Sequence, residues 1–147
     1  MKIGIASDHR GYELKEFLKN NLNGYEVVDC GTNSTDSVDY PDYGIKLAEK
    51  VKNKEVELGI AICGSGIGIS IACNKVKGIR CAKVSTIKEA EYTRNDNDAN
   101  IIALSSETEK ELSLEIVNKF LTTPFSHDER HLRRIEKIKK YEEENEC

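Results

Sequence analysis

Short apolar runs recur along this chain, each ending at Gly, Asp or Ser and each followed by a longer stretch whose apolar residues stand three and four apart. That alternation restricts the fold more than any other feature, because it switches repeatedly between the period of a strand and the period of a helix. Strands are expected at 2–6, 25–29, 58–63, 80–83 and 100–104. Helices are expected at 12–20, 42–52, 67–74, 85–94 and 107–121, the last with Leu112, Ile116 and Phe120 on one face. Strands this short and apolar suit burial on both faces, the habit of parallel sheets. Joined by right-handed helical crossovers, they predict an α/β fold, a doubly wound three-layer sandwich with a five-stranded parallel sheet. A further segment, 126–143, follows the helix-stopping Pro124 and aligns Leu132, Ile135 and Ile138 amid dense Arg, Lys and Glu. It reads as an appended C-terminal helix with one docking face.

A chain of 147 residues suits one domain spanning 1–147 and can bury roughly two-thirds of its unfolded surface without a disulfide or metal staple. Its five cysteines, Cys30, Cys63, Cys73, Cys81 and Cys147, are odd in number and form no C-x-x-C pair. Reduced thiols follow from that count. With 22 basic against 26 acidic residues and a net charge of -4, there is no basic field for a nucleic-acid partner. The longest apolar stretch, around Ile60 and Ile62, falls far short of the roughly 20 residues that cross a membrane. Met1-Lys2-Ile3-Gly4-Ile5 runs straight into a strand pattern without the parts of a secretory signal, so a cytoplasmic location is expected.

Parallel sheets bind ligands at the carboxyl ends of their strands. Ile62-Cys63-Gly64-Ser65-Gly66-Ile67-Gly68 stands at such an end. Glycines let backbone approach a ligand closely, and their N–H groups, with the following helix N-terminus, can converge on an oxyanion or phosphate. A tight turn with no ligand explains the glycines about equally well. Cys63 shifts the balance, because a helix N-terminus favours thiolate over thiol, which makes it a candidate base or nucleophile. A cysteine-phosphatase loop requires Arg where Ile69 stands, and no Lys follows the glycines as a nucleotide P-loop demands.

Ser7-Asp8-His9-Arg10-Gly11 ends the first strand and belongs to the same crevice by sheet geometry. Asp8 alone reads as a helix cap, whereas His9 beside it can bond a sugar hydroxyl or exchange a proton. Arg94-Asn95-Asp96-Asn97-Asp98-Ala99-Asn100 is adequately explained as turn chemistry. Arg130 and Arg134 share a helix face and together could fork one phosphate, although most charged helical residues are merely solvated. The polar stretch 31–41 reads first as a surface loop, with Tyr40 beside Pro41 keeping an active-site wall as the second reading.

Taken in order, Ser7-Asp8-His9-x-Gly11, Asp39-Tyr40-Pro41-x-Tyr43, Ile62 through Ser70, Asn74-Lys75, Gly78-Ile79-Arg80, Asn97-Asp98-x-Asn100 and Arg130-His131 resemble the type B ribose-5-phosphate isomerases. Their superfamily also includes galactose- and allose-6-phosphate isomerases. The resemblance covers nearly the whole chain. It implies an aldose–ketose isomerase without metal or cofactor, acting on ribose 5-phosphate and ribulose 5-phosphate through a cis-enediolate with Cys63 as base. It further implies that backbone amides over Gly64, Gly66, Ile67 and Gly68 hold the enediolate. Ser65 then orients the thiol or relays a proton, Asp8, His9 and Asn97 contact hydroxyls, and Arg130 and Arg134 hold the phosphate. A homodimer or dimer of dimers sharing its active site is implied, with the 126–143 helix on the partner. Two positions depart from the pattern: Asp96 stands where many members use His to open the sugar ring, and Glu107 where many place Arg. Ring opening then falls to a protonated Asp96, to His9 or to His131, or the substrate enters open-chain. A hexose 6-phosphate isomerase and a non-catalytic phosphosugar-binding protein are the alternatives.

Overall fold

The computed structural model describes residues 1–145; Cys147, counted above among the reduced thiols, lies outside the described residues. In chain order the elements are β1 (Lys2–Ser7), α1 (Tyr12–Asn21), β2 (Glu26–Asp29), α2 (Tyr40–Lys52), β3 (Leu58–Cys63) and α3 (Ile67–Asn74). There follow β4 (Cys81–Lys83), α4 (Ile87–Asn95), β5 (Ile101–Ser105), α5 (Lys110–Thr122) and α6 (Glu129–Glu144). The sheet runs in the order β2-β1-β3-β5-β4, and every pairing is parallel.

Alternation along the strands sorts the core into two layers. Ile3 and Ile5 of β1, with Ile60 and Ile62 of β3, face α1, α4 and α5 through Leu14, Leu18, Ala90, Ile116 and Phe120. Ala6, Ala61, Cys63, Ile101 and Ala103 face α2 and α3 through Leu47, Ile69 and Cys73. The sandwich is thus three-layered, and the small residues on the second face let α2 and α3 lie close to the sheet. Gly4 and Gly59 both sit beneath Leu47, where a Cβ would meet its methyl group.

Four helix starts differ from the sequence expectation, each for a local reason; α6 begins at Glu129 rather than 126 because the Asp128 carboxylate accepts from the Arg130 amide and caps it. α2 begins two residues early because Pro41 suits a first helical turn, where its missing N–H has no partner to lose. α4 begins at Ile87 because Thr86 accepts from the Glu89 amide while Glu89 accepts in return from the Thr86 amide, a reciprocal cap. α5 begins only at Lys110, since Ser105 draws in the amides of Glu107 and Thr108 and turns the chain first.

One buried charge ties the sheet edge to the site. Lys15 of α1 is fully buried, with Nζ 2.7 Å from Asp29 and 2.8 Å from Glu16, and Lys19 also reaches Asp29 at 2.7 Å. Asp29 accepts from the Gly31 amide in turn, and Gly31 and Thr32 bond with the backbone of Ser7 at the end of β1. Burial alone would push the Asp29 carboxyl up, but the hydrogen bonds from Lys15, Lys19 and Gly31 outweigh it and hold the carboxyl below its ordinary value. A depressed carboxyl stabilises the fold fully above its unfolded value and stops doing so as pH falls through the folded one. Asp29→Ala, which leaves Lys15 with Glu16 alone, is expected to lower unfolding free energy by about 3 kcal/mol at neutral pH. Urea melts across pH should show this deficit shrinking below about pH 4, as the wild-type carboxylate is protonated.

Candidate active site

β1 and β3 are neighbours, and their helices leave toward opposite faces, so a crevice opens where the two strands end. Cys63 ends β3 at this edge, with only 3% of the residue exposed. Its Sγ accepts a hydrogen bond from the Gly66 amide at 3.2 Å, at the entry to α3. This geometry depends on Gly66, whose φ of 79° lies in the left-handed region and whose added Cβ would stand 2.9 Å from the Leu104 carbonyl carbon. Ser105 Oγ donates to the Gly64 carbonyl at 2.7 Å, and the Ser106 amide to the Cys63 carbonyl at 2.9 Å, so the loop is clamped to the end of β5.

The loop amides are divided between two tasks. Gly66 serves the sulfur, and the Ile67 amide donates to Ser65 Oγ at 3.1 Å. Those of Gly64 and Ser65 donate to no protein group among the described residues. Gly68 lies in the first turn of α3, where N–H groups lack an intrahelical acceptor. The expected cradle over 64–68 therefore narrows to Gly64, Ser65 and Gly68, and Ser65 is bound to the helix rather than to the thiol. Orientation of the sulfur falls to Gly66 instead.

Asp8 behaves in part as the capping reading requires: Oδ1 accepts from the Arg10 and Gly11 amides at 3.0 and 3.1 Å and fixes the turn into α1. Its other oxygen makes no hydrogen bond among the described residues. His9 Nδ1 accepts from the Val38 amide at 3.2 Å, which puts the proton of the neutral ring on Nε2. The 31–41 segment is the surface loop of the first reading, irregular over 32–39 and mostly exposed from 33 on, and it is also the wall of the second. That segment reaches His9 through Val38, and the Tyr40 ring lies 2.6 Å from where a Cβ on Gly68 would stand. It walls the site because glycine leaves the room.

Asp96, Asn97, Arg130 and Arg134 gather elsewhere. They lie where α4 leads into β5 and where α6 begins, at the amino edge of the sheet. β5 alone separates them from the thiol's edge by roughly 17 Å along the strand. His131 joins this second cluster, with Nε2 3.7 Å from Asp96 Oδ1 and Nδ1 2.7 Å from Ser126 Oγ. Asn95 donates to Asp96 at 2.7 Å. The Arg130 amide, then its guanidinium, hold Asp128 below the usual carboxylate range. A hollow of about 390 Å³ lies beside the cluster, lined by Arg80, Asn97 and Ile138 among others. The predicted site is thus split into a thiol half and an arginine half. Sequence reasoning missed the Asp96–His131 pair and the seat of Arg10 against Gly64, neither of which leaves a local signal.

Among the described residues no group of three or more His, Cys, Asp or Glu side chains is arranged to hold a metal ion. No helix there is long and apolar enough to cross a membrane.

Residues 3–138 match the family described as Ribose/Galactose Isomerase. Ribose-5-phosphate isomerase B of Mycobacterium tuberculosis is 38% identical over 100% of this chain and 93% of its own length. The solved structure of the Clostridium thermocellum ribose-5-phosphate isomerase B is 48% identical, covers 99% of this chain and 100% of that one, and superposes with a TM-score of 0.96. The Mycoplasma genitalium ribose-5-phosphate isomerase B, solved with bound ribulose-5-phosphate, is 43% identical, covers 98% and 97%, and gives a TM-score of 0.93.

Gly66→Ala tests the loop directly. Strain at positive φ and the clash with Leu104 are expected to destabilise the fold by about 1–2 kcal/mol, read by thermal melting. The Cys63 thiol should also become less reactive toward alkylating reagents at neutral pH, as the amide that favours its thiolate moves away.

Proposed function

The chain belongs to the ribose/galactose isomerase family of sugar-phosphate isomerases, and from that premise we propose that it interconverts ribose 5-phosphate and ribulose 5-phosphate with Cys63 as the base. The hydrogen bond from Gly66 to the sulfur carries this reading, since an N–H aimed at sulfur from a helix entry is what a thiolate requires. The thiolate takes the proton from C2 of the open-chain aldose. Negative charge passes to the oxygens on C1 and C2, where the amides of Gly64, Ser65 and Gly68 stabilise it. The same proton then returns to C1. Ser65 Oγ accepts from Ile67 and so keeps its own proton free to pass between the two substrate oxygens. His9 Nε2–H and the second oxygen of Asp8 are suited to the sugar hydroxyls.

Ring opening is assigned to Asp96 and His131 acting as one acid. A lone carboxylate is ionised at neutral pH, but an imidazole beside it can keep a proton there to deliver. Asn97 supplies a hydroxyl contact, and Arg130 and Arg134 the phosphate fork. Because these residues stand a strand's length from Cys63 in one chain, the working site is proposed to form between two copies in a homodimer. Support comes from exposed apolar side chains on both halves, Ile67 and Ile71 of α3 and Leu132, Ile138 and Tyr141 of α6.

Cys63→Ala should retain its thermal melt while losing turnover and solvent-deuterium exchange at C2 and C1; retention of exchange defeats the cysteine mechanism. Comparison of kcat/KM on pentose and hexose phosphates fixes the substrate, with a hexose preference overturning the pentose assignment. A shared site makes a second prediction. Mixing inactive Cys63→Ala with inactive Arg130→Ala/Arg134→Ala should restore about a quarter of wild-type activity, since a randomly exchanged two-fold dimer recovers one intact site in each mixed pair. No recovery under exchange conditions places all the chemistry within one chain.

A further inference from the structure

We propose that Arg10 grips the phosphate of the sugar phosphate from the same chain that supplies the thiol. The proposal rests on the isomerase reading above. The motif at the end of β1 leaves position 10 unspecified, so nothing in it assigns this side chain a task.

Three observations converge on the assignment. Of the six arginines in the sequence, Arg10 alone stands at the carboxyl edge, the others belonging to the α4–β5 corner and to α6. Its guanidinium lies against Gly64, the residue after the thiol, and a Cβ at position 64 would collide with it. The missing side chain at 64 is thus its seat. Third, the guanidinium forms no hydrogen bond or ion pair among the described residues, whereas Arg80 and Arg94 are tied to Asp98 and neighbouring carbonyls. An unpaired, exposed fork at the rim of an anion site suits the far, dianionic end of the substrate.

Position within the crevice separates phosphate from enediolate. The reacting carbons must meet Cys63, beside the Gly64, Ser65 and Gly68 amides assigned above to the single developing charge. Arg10 is exposed, at the mouth. The Glu107 amide is linked through Ser105 Oγ to the Gly64 carbonyl, and a carboxylate on that residue repels an incoming phosphate unless a cation answers it.

The test combines kinetics with calorimetric titration, using inorganic phosphate and ribose 5-phosphate as probes on wild type, Arg10→Ala and Arg10→Lys. Circular dichroism melts establish that the variants fold. Arg10→Ala is expected to raise KM and the inhibition constant for inorganic phosphate in parallel, each by about 10- to 100-fold. Its kcat should stay within about threefold, the mark of uniform binding. Arg10→Lys should recover part of the loss, since it restores charge without the fork. Unchanged phosphate affinity in folded Arg10→Ala overturns the proposal, and so does a fall in kcat alone, which would put Arg10 on the reacting oxygens. If wild type isomerises no sugar phosphate, the isomerase reading fails separately, and the phosphate titrations still decide the role of Arg10.

Discussion

The hydrogen bond from the Gly66 amide to the Cys63 sulfur is the interaction on which the rest of the site depends. It exists only because the chain turns through a left-handed residue between β3 and α3, and that turn fits only because position 66 has no side chain to press on β5. The parallel sheet supplies the remaining requirement. With every strand running the same way, the ends of β1, β3 and β5 meet at one edge, so Asp8, Cys63 and Ser105 are neighbours although far apart in sequence.

Much of this was legible in the sequence. β3 and α3 fall on the expected residues because their limits are set by local chemistry, an unbroken apolar run ending at a glycine loop. The starts of α2, α4 and α5 were less legible because they are decided by side chains just outside the periodic pattern: Pro41, the Thr86–Glu89 pair and the Ser105 hydroxyl. Candidate residues were found by type, but not their grouping. Nothing in the spacing of Asp96 and His131 announces that α6 returns to the α4–β5 corner, and nothing in 31–41 shows that Val38 meets His9. Such contacts are made by tertiary packing, which leaves no periodic trace.

Division of labour within the glycine loop was equally hidden. Residues 64–68 carry five backbone amides, of which one is spent on the sulfur and one on Ser65, leaving those of Gly64, Ser65 and Gly68. Those three are the amides proposed to hold the oxyanion, while the other two are spent on holding the turn itself. The buried Lys15 cluster plays a comparable supporting part, since Asp29 and Gly31 hold the end of β1 from behind.

The thiol is also the first tie of a helix. Because Gly66 donates to it at the entry to α3, any group attached covalently to that sulfur must compete for or displace the amide it accepts from. Occupation of the sulfur and loosening of the turn that presents Ser65 and Gly68 are then one event, so an adduct at this atom would disturb the loop over 64–68 as well as block the proposed base.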